Sequence, residues 1–252
     1  PYEPWQEAQR IVSRIEGREP KQWQPKEAEG LVRHHQDLYD VPIGEGEWCI
    51  MARTNRIAAY YANALMEEGW VFSRNGHPSI QAKTYEAILD WEQWCKSDQI
   101  NGQQLRNIYT LMSVGVGFTK GYGPRSKTLL NIDPEVFITM NQAEESYGLL
   151  IKSTMRWHQA LDKIDMDTRN YILSALKRGD NVKNPRIKIS TIHGMKGGEC
   201  DNILVIPDLS HAAYKQYQRN PNMEHRVYYV AVTRTKNTLH ILEPTTDAYY
   251  SL

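Results

Sequence analysis

Residues 186–208 read RIKISTIHGMKGGECDNILVIPD, and residues 220–242 read NPNMEHRVYYVAVTRTKNTLHIL. The first run opens with β-branched alternation at Ile187, Ile189 and Thr191, a strand signal. A turn broken by Gly194, Gly197 and Gly198 follows, carrying His193, Lys196 and Glu199. Ile203 to Ile206 is apolar on both faces, as a central parallel strand is. Asn220-Pro221 reads as an N-cap with proline at the first helical position. On the helix it starts, Val227, Val230 and Ala231 share a face that Arg234 continues one turn later. A last strand is expected over Thr238 to Leu242. Strand, loop, strand, helix and strand in this order make an α/β fold with a parallel sheet, and polar residues gather at the strand ends where such folds bind ligands.

Working outward, Pro4 to Glu16 reads as an amphipathic helix, with Trp5, Ala8, Ile11, Val12 and Ile15 on one face and Gly17 as its stop. A polar link with Pro20 and Pro25 follows. Glu47 to Asn55 reads as a buried strand with a polar end, and Ile57 to Glu68 as a helix stopped by Gly69. Trp70 to Phe72 is a short strand, and Ala82 to Lys96 a helix turning Ile88, Leu89 and Trp91 inward. This alternation is a βαβ unit with parallel strands. From about residue 98 to residue 183 no strand alternation stands out. Helical stretches near Gly102 to Met112 and Ser153 to Arg178 flank a glycine-rich loop, Gly115 to Pro124. The expected organisation is a first sheet segment over 1–97, a helical insertion over 98–183 and a second sheet segment over 184–252.

The chain has 252 residues, enough for one large domain or two small ones. Its 30 Lys and Arg balance 30 Asp and Glu, so no global basic field draws it to nucleic acid, although a local patch still can. Cys49, Cys95 and Cys200 show no paired spacing, which suits a reduced, cytoplasmic protein. No apolar run approaches membrane-spanning length and none reads as a signal peptide. The first residue is Pro1, inside a helix-forming sequence, so the chain reads as part of a longer polypeptide.

Several side chains carry candidate chemistry. The planar fork of Arg234, at the margin of an apolar stripe, suits bidentate capture of phosphate, against the alternative of a surface arginine near a helix end. Arg53 has the same chemistry, against a strand-end salt bridge. Glu199 follows two glycines that let a ligand approach the backbone, and its carboxylate can accept from ribose hydroxyls; a solvated glutamate is the alternative. Gly197 reads as a conformational requirement of the turn. His193 beside Thr191 competes with a buried, satisfied histidine, and Lys196 with a solvated loop lysine. Glu224 and Arg226 read as a polar network or a helix-end charge pair. The loop from Ser113 to Lys127 lacks the Gly-Lys-Ser/Thr of a phosphate loop, as does the rest of the chain. Its Lys120, Arg125 and Lys127 with interleaved aromatics could instead follow a nucleic-acid backbone, against a plain surface loop.

Thr191-Ile-His193-Gly-Met-Lys196-Gly197-Gly-Glu199 resembles motif V of the UvrD/Rep-like superfamily 1 helicases. Glu224 to Thr235 resembles their motif VI, and Arg53-Thr54-Asn55 their motif IV. The resemblance implies a RecA-like parallel sheet flanked by helices, domain 2A, interrupted by a reduced, mostly helical 2B insertion. It implies that Arg234 and Arg53 act as arginine fingers on the γ-phosphate of ATP, each finger worth roughly 10³ to 10⁵ in rate. Glu199 and Gly197 would border the nucleotide; Thr191 and His193 would contact single-stranded DNA or link the DNA and ATP sites, and Lys196 and Asn55 would contact single-stranded DNA. Lys120 and Arg125 match more loosely the turn with which the inserted subdomain touches duplex DNA. Ala52 stands where several relatives have a tyrosine that stacks on adenine, which puts base selectivity from this side in doubt.

Without a phosphate-loop lysine the chain is not expected to be a complete ATPase. The expectation is the C-terminal half of an ATP-dependent helicase acting 3′ to 5′ on single strands and single-strand/duplex junctions. Its ATP and Mg²⁺ would be held mainly by an N-terminal RecA-like domain of the same polypeptide. The alternative is a non-catalytic DNA-binding or regulatory module on the same scaffold.

Overall fold

The computed structural model describes residues 2–19, 29–97, 99–195 and 198–252. It divides into two compact units, Pro1–Ser79 with Asn184–Leu252, and Ile80–Lys183. The first unit opens with α1 (Tyr2–Ser13), β1 (Leu31–His35), β2 (Trp48–Ala52), α2 (Asn55–Glu67), β3 (Phe72–Arg74) and β4 (His77–Pro78). The second holds α3 (Ala82–Ser97), β5 (Ile100–Asn101), α4 (Gly102–Thr110), α5 (Lys127–Leu130), β6 (Phe137–Ile138), α6 (Met140–Tyr147), α7 (Trp157–Ala160) and α8 (Met166–Arg178). The chain then returns to the first unit for β7 (Ile187–Thr191), β8 (Cys200–Val205), α9 (His211–Arg219), α10 (Pro221–Val232) and β9 (Thr235–Leu242).

The first unit is one seven-stranded sheet in the order β1-β9-β8-β2-β7-β3-β4, parallel throughout except for the β3–β4 hairpin. It is the α/β parallel architecture expected from the strand and helix alternation, and it is consistent with the RecA-like domain that the resemblance implies. All five residues of β2 are buried, because helices cover both sheet faces. Cys49 and Met51 pack under α1, α9 and α10, while Trp48, Ile50 and Ala52 pack under α2. Ile50 is fully buried; truncating such a side chain to alanine costs about 2–5 kcal/mol. α2 starts at Asn55 because the Thr54 hydroxyl accepts from the Ile57 N–H at 3.3 Å.

Several elements differ from the sequence reading. α10 stops at Val232, and Arg234 does not continue its face: the Thr233 hydroxyl donates back to the carbonyls of Tyr229 and Val230, at 2.9 and 3.1 Å. β9 starts at Thr235, three residues early, with a bulge against β8. The polar link before Asn220 contains α9, capped by Ser210, whose hydroxyl accepts from the Ala213 N–H. Asn220 does precede a proline-led helix but makes no side-chain cap. β1 has no buried residue, as an edge strand allows, and so lacks the apolar alternation that would announce it. In the second unit Ile100–Asn101 pairs with Phe137–Ile138 as a two-stranded sheet. The unit begins at Ile80, so α3 belongs with the helical insertion. There Trp94 donates its indole N–H to the Ile138 carbonyl at 3.1 Å, and Leu89 is exposed instead of buried.

Candidate functional site

The polar residues of the sheet unit gather at its two ends. At the N-terminal ends of β8 and β9, the Cys200 N–H donates to the Arg234 carbonyl at 3.1 Å. This bond places Glu199, one residue before β8, next to Arg234, one residue before β9. Glu199 is exposed and Arg234 half-buried. The Arg234 Nε and the Thr235 hydroxyl are both buried and without a hydrogen-bond partner among the described residues. Buried polar atoms are seldom left unpaired, so two adjacent orphans beside an arginine mark a place suited to an added acceptor. Gly197, expected to border the nucleotide with Glu199, and Lys196, expected to contact DNA, lie outside the described residues.

Beneath this end sit two of the three free thiols, Cys49 and Cys200, both buried. The Cys49 thiol donates to Cys200, which pushes Cys49 up and draws Cys200 down from the ordinary thiol range.

The opposite end carries the other candidates. The even-numbered residues of β2 face α2, so Arg53 continues the Cys49–Met51 stripe under α10. There its fork meets Glu224 in the first turn of α10: Nε donates to Oε2 at 2.8 Å and Nη2 to Oε1 at 2.9 Å. Glu224 is fully buried and the Arg53 side chain 19% exposed. The carboxylate holds the guanidinium pKa above its ordinary value. The strand-end salt bridge weighed from the sequence is thus present, and its acidic half is a residue of the expected motif VI.

Thr191, at the end of β7, accepts from the Gly194 N–H at 3.1 Å and so shapes the following turn. Gly194 has no room for a side chain, since a Cβ there would overlap the Ser190 hydroxyl. His193 is exposed on that turn, which removes the reading of a buried histidine. Asn55 Oδ1 accepts from the Asn75 side-chain amide nitrogen at 3.2 Å, and the Ser190 hydroxyl donates to Asn75 Oδ1 at 3.1 Å. Asn75 and Ser190 escaped the sequence reading. The Asn75-Gly76 dipeptide was the available signal: both residues have positive φ, 51° and 83°, and turn the β3–β4 hairpin.

The two arginines expected on one phosphate therefore stand at opposite ends of the sheet. Met51 pairs with Val205, and Cys200 pairs with Thr235. The length of β8 between those levels is about 17 Å at roughly 3.3 Å per residue. Glu199 and Arg234 are brought together; Arg53, Asn55, Thr191 and His193 form a second group.

In the inserted unit Lys120, Arg125 and Lys127 are exposed, but the neighbouring aromatics are packed against other side chains. Phe118 is 1% exposed and stacks on Tyr109 at 4.8 Å, and the Tyr122 ring lies where a Cβ on Gly148 would be. The basic half of the expected nucleic-acid pattern is on the surface, while of the aromatics Phe118 is buried and Tyr122 half-buried.

Among the described residues no His, Cys, Asp and Glu cluster could hold a metal, and no helix is long and apolar enough to cross a membrane. A family model described as UvrD-like helicase C-terminal domain matches residues 76–244, about two thirds of the chain. The match takes in the insertion, Glu199 and Arg234, and leaves Arg53 outside it. None of the curated proteins compared with the chain matches it.

Proposed function

The chain belongs to the UvrD-like helicase C-terminal domain family, and on that premise we propose that it is the C-terminal RecA-like half of an ATP-dependent DNA helicase or translocase. The observation that carries this reading is the Cys200-to-Arg234 backbone bond, which brings the chain at Glu199 next to the chain at Arg234 at one end of the sheet. Arg234 offers donors to the γ-phosphate and Glu199 an acceptor to the ribose hydroxyls, in a cleft completed by an N-terminal RecA-like domain. The orphaned Arg234 Nε and Thr235 hydroxyl fit such a polar ligand. ATP supplies a cleavable phosphoanhydride when bound. Mg²⁺ would be held mainly by the other domain, as the resemblance implies.

Arg53 then acts as a strut in place of a second finger, because Glu224 already fills its fork. The end with Asn55, Thr191 and His193 is assigned to single-stranded DNA. α10, 12 residues and about 18 Å long at 1.5 Å per residue, runs from that end to Arg234. Closure of the cleft on nucleotide would thereby be felt at the DNA end, the coupling that stepping along one strand needs, 3′ to 5′ by the resemblance. Fluorescence anisotropy with labelled single-stranded DNA tests the assignment. His193→Ala with Asn55→Ala is expected to weaken binding without changing the melting temperature, and unchanged binding would remove DNA from this end.

A further inference from the structure

The inserted unit contains a cleft of about 580 Å³ that takes no part in the reading above. The C-terminal halves of α3 and α8 form two walls, and the segment Ser153 to His158 forms the third. The Trp91 indole N–H donates to the Met155 carbonyl at 3.0 Å, which holds that segment over α3, so the cleft is already formed. Its lining is apolar in an unusual place: Met155 is 40% and Leu173 39% exposed, with Leu176 half-buried behind them. A volume of this size takes a drug-sized group or a few side chains of a peptide.

The charges around the cleft are unequal. Lys96, Arg156 and Lys177 face one carboxylate, Glu92, which is already paired with Lys96 at 3.9 Å. Lys96 and Lys177 stand in the last turns of their helices, where the helix dipole favours a cation. Arg156 has no such local reason. It precedes the first turn of α7, where the dipole disfavours a cation, it is exposed, and no carboxylate among the described residues pairs with it. An apolar floor with a cationic rim is complementary to an acidic, apolar-anchored ligand. Nucleic acid fits less well, since stacking needs an exposed ring and the two tryptophans of the lining, Trp91 and Trp157, are 1% and 4% exposed.

We propose that this cleft binds an acidic peptide segment of a partner protein, its aliphatic or aromatic anchor between Met155 and Leu173 and its carboxylates on Arg156 and Lys177. The proposal does not rest on the helicase reading. Cys95 lines the cleft and is half-buried, whereas Cys49 and Cys200 are buried, so it reports on occupancy. The experiment is the rate of Cys95 alkylation by N-ethylmaleimide on the 252-residue chain, with a synthetic Asp/Glu peptide carrying a leucine–phenylalanine pair. Saturating peptide is expected to slow alkylation about tenfold, and Arg156→Glu to raise the peptide concentration required about tenfold. A basic peptide with the same anchors and a single-stranded oligonucleotide are expected to give no protection. Absence of protection by the acidic peptide, equal protection by the oligonucleotide, or an unchanged requirement in Arg156→Glu would each overturn the proposal. The wild-type protection needs no substitution, so misfolding of a variant cannot mask the answer.

Discussion

Arg53 and Glu224 join the end of β2 to the first turn of α10 by two hydrogen bonds, 2.8 and 2.9 Å long. Each side chain is brought there by its own element. The period-two alternation of a fully buried strand carries Arg53 under the helix, and burial of α10 carries Glu224 towards it. Two residues distant in the chain thereby fix the start of the helix whose far end leads into Arg234.

The asymmetry of this pair makes it testable. Arg53→Ala leaves a fully buried carboxylate without its cation, a loss expected to cost about 3–5 kcal/mol in a urea titration. Glu224→Ala is expected to cost less, because the partly exposed guanidinium can turn to water. Equal costs, or a smaller cost for Arg53→Ala, would show that the pair does not govern the packing of α10.

Acid sensitivity should originate at the β1 edge. His240 is 2% exposed, its Nδ1 lies 2.8 Å from His35 Nε2, and burial lowers its pKa from 6.5 to about 4. Burial lowers His35 as well, with Asp40 opposing the shift and Arg33 adding to it. Since the folded pKa lies below the unfolded one, the unfolded chain takes up protons first as pH falls. Stability from this site is therefore complete above about pH 6.5 and is lost as pH drops towards 4, by at most about 3 kcal/mol for His240. Urea midpoints across that window are expected to fall less steeply in His240→Gln than in the wild type. Parallel slopes would contradict the assignment.

How much of this was legible in the sequence follows from how each residue is held. β2 and the end of β8 declared themselves because burial on both faces demands unbroken apolar runs, and β7 because Ile187 and Ile189 alternate with polar residues. β1 did not, because an edge strand can carry Arg33, His34 and His35. Glu199 and Arg234 were readable as candidates from residue type and turn context. Their proximity was not readable, since it depends on a backbone bond between β8 and the turn before β9. Arg53 was readable as a phosphate ligand or as half of a salt bridge, and only the register of β2 beneath α10 favours the second. The loop around Phe118 misled because a Gly/aromatic/basic pattern describes equally a surface platform and a turn whose Phe118 ring is stacked on Tyr109.

The same loop still offers three cations. If Lys120, Arg125 and Lys127 contact duplex DNA, replacing all three with glutamine removes about three counterion-releasing contacts. The slope of log affinity against log salt is then expected to become shallower by about 2 to 3. An unchanged slope would leave them as solvated side chains.

The central claim is that this chain supplies Arg234 to a nucleotide cleft that it cannot complete by itself. The most direct measurement is ATP hydrolysis with single-stranded DNA, by the 252-residue chain alone and by the chain joined to an N-terminal RecA-like domain bearing a phosphate loop. Each is measured with Arg234 intact and as Arg234→Ala. The account predicts no turnover by the chain alone. For the joined protein it predicts turnover that falls by about 10³ to 10⁵ in the variant at unchanged melting temperature. Turnover by the chain alone, or a joined protein indifferent to Arg234, would contradict it.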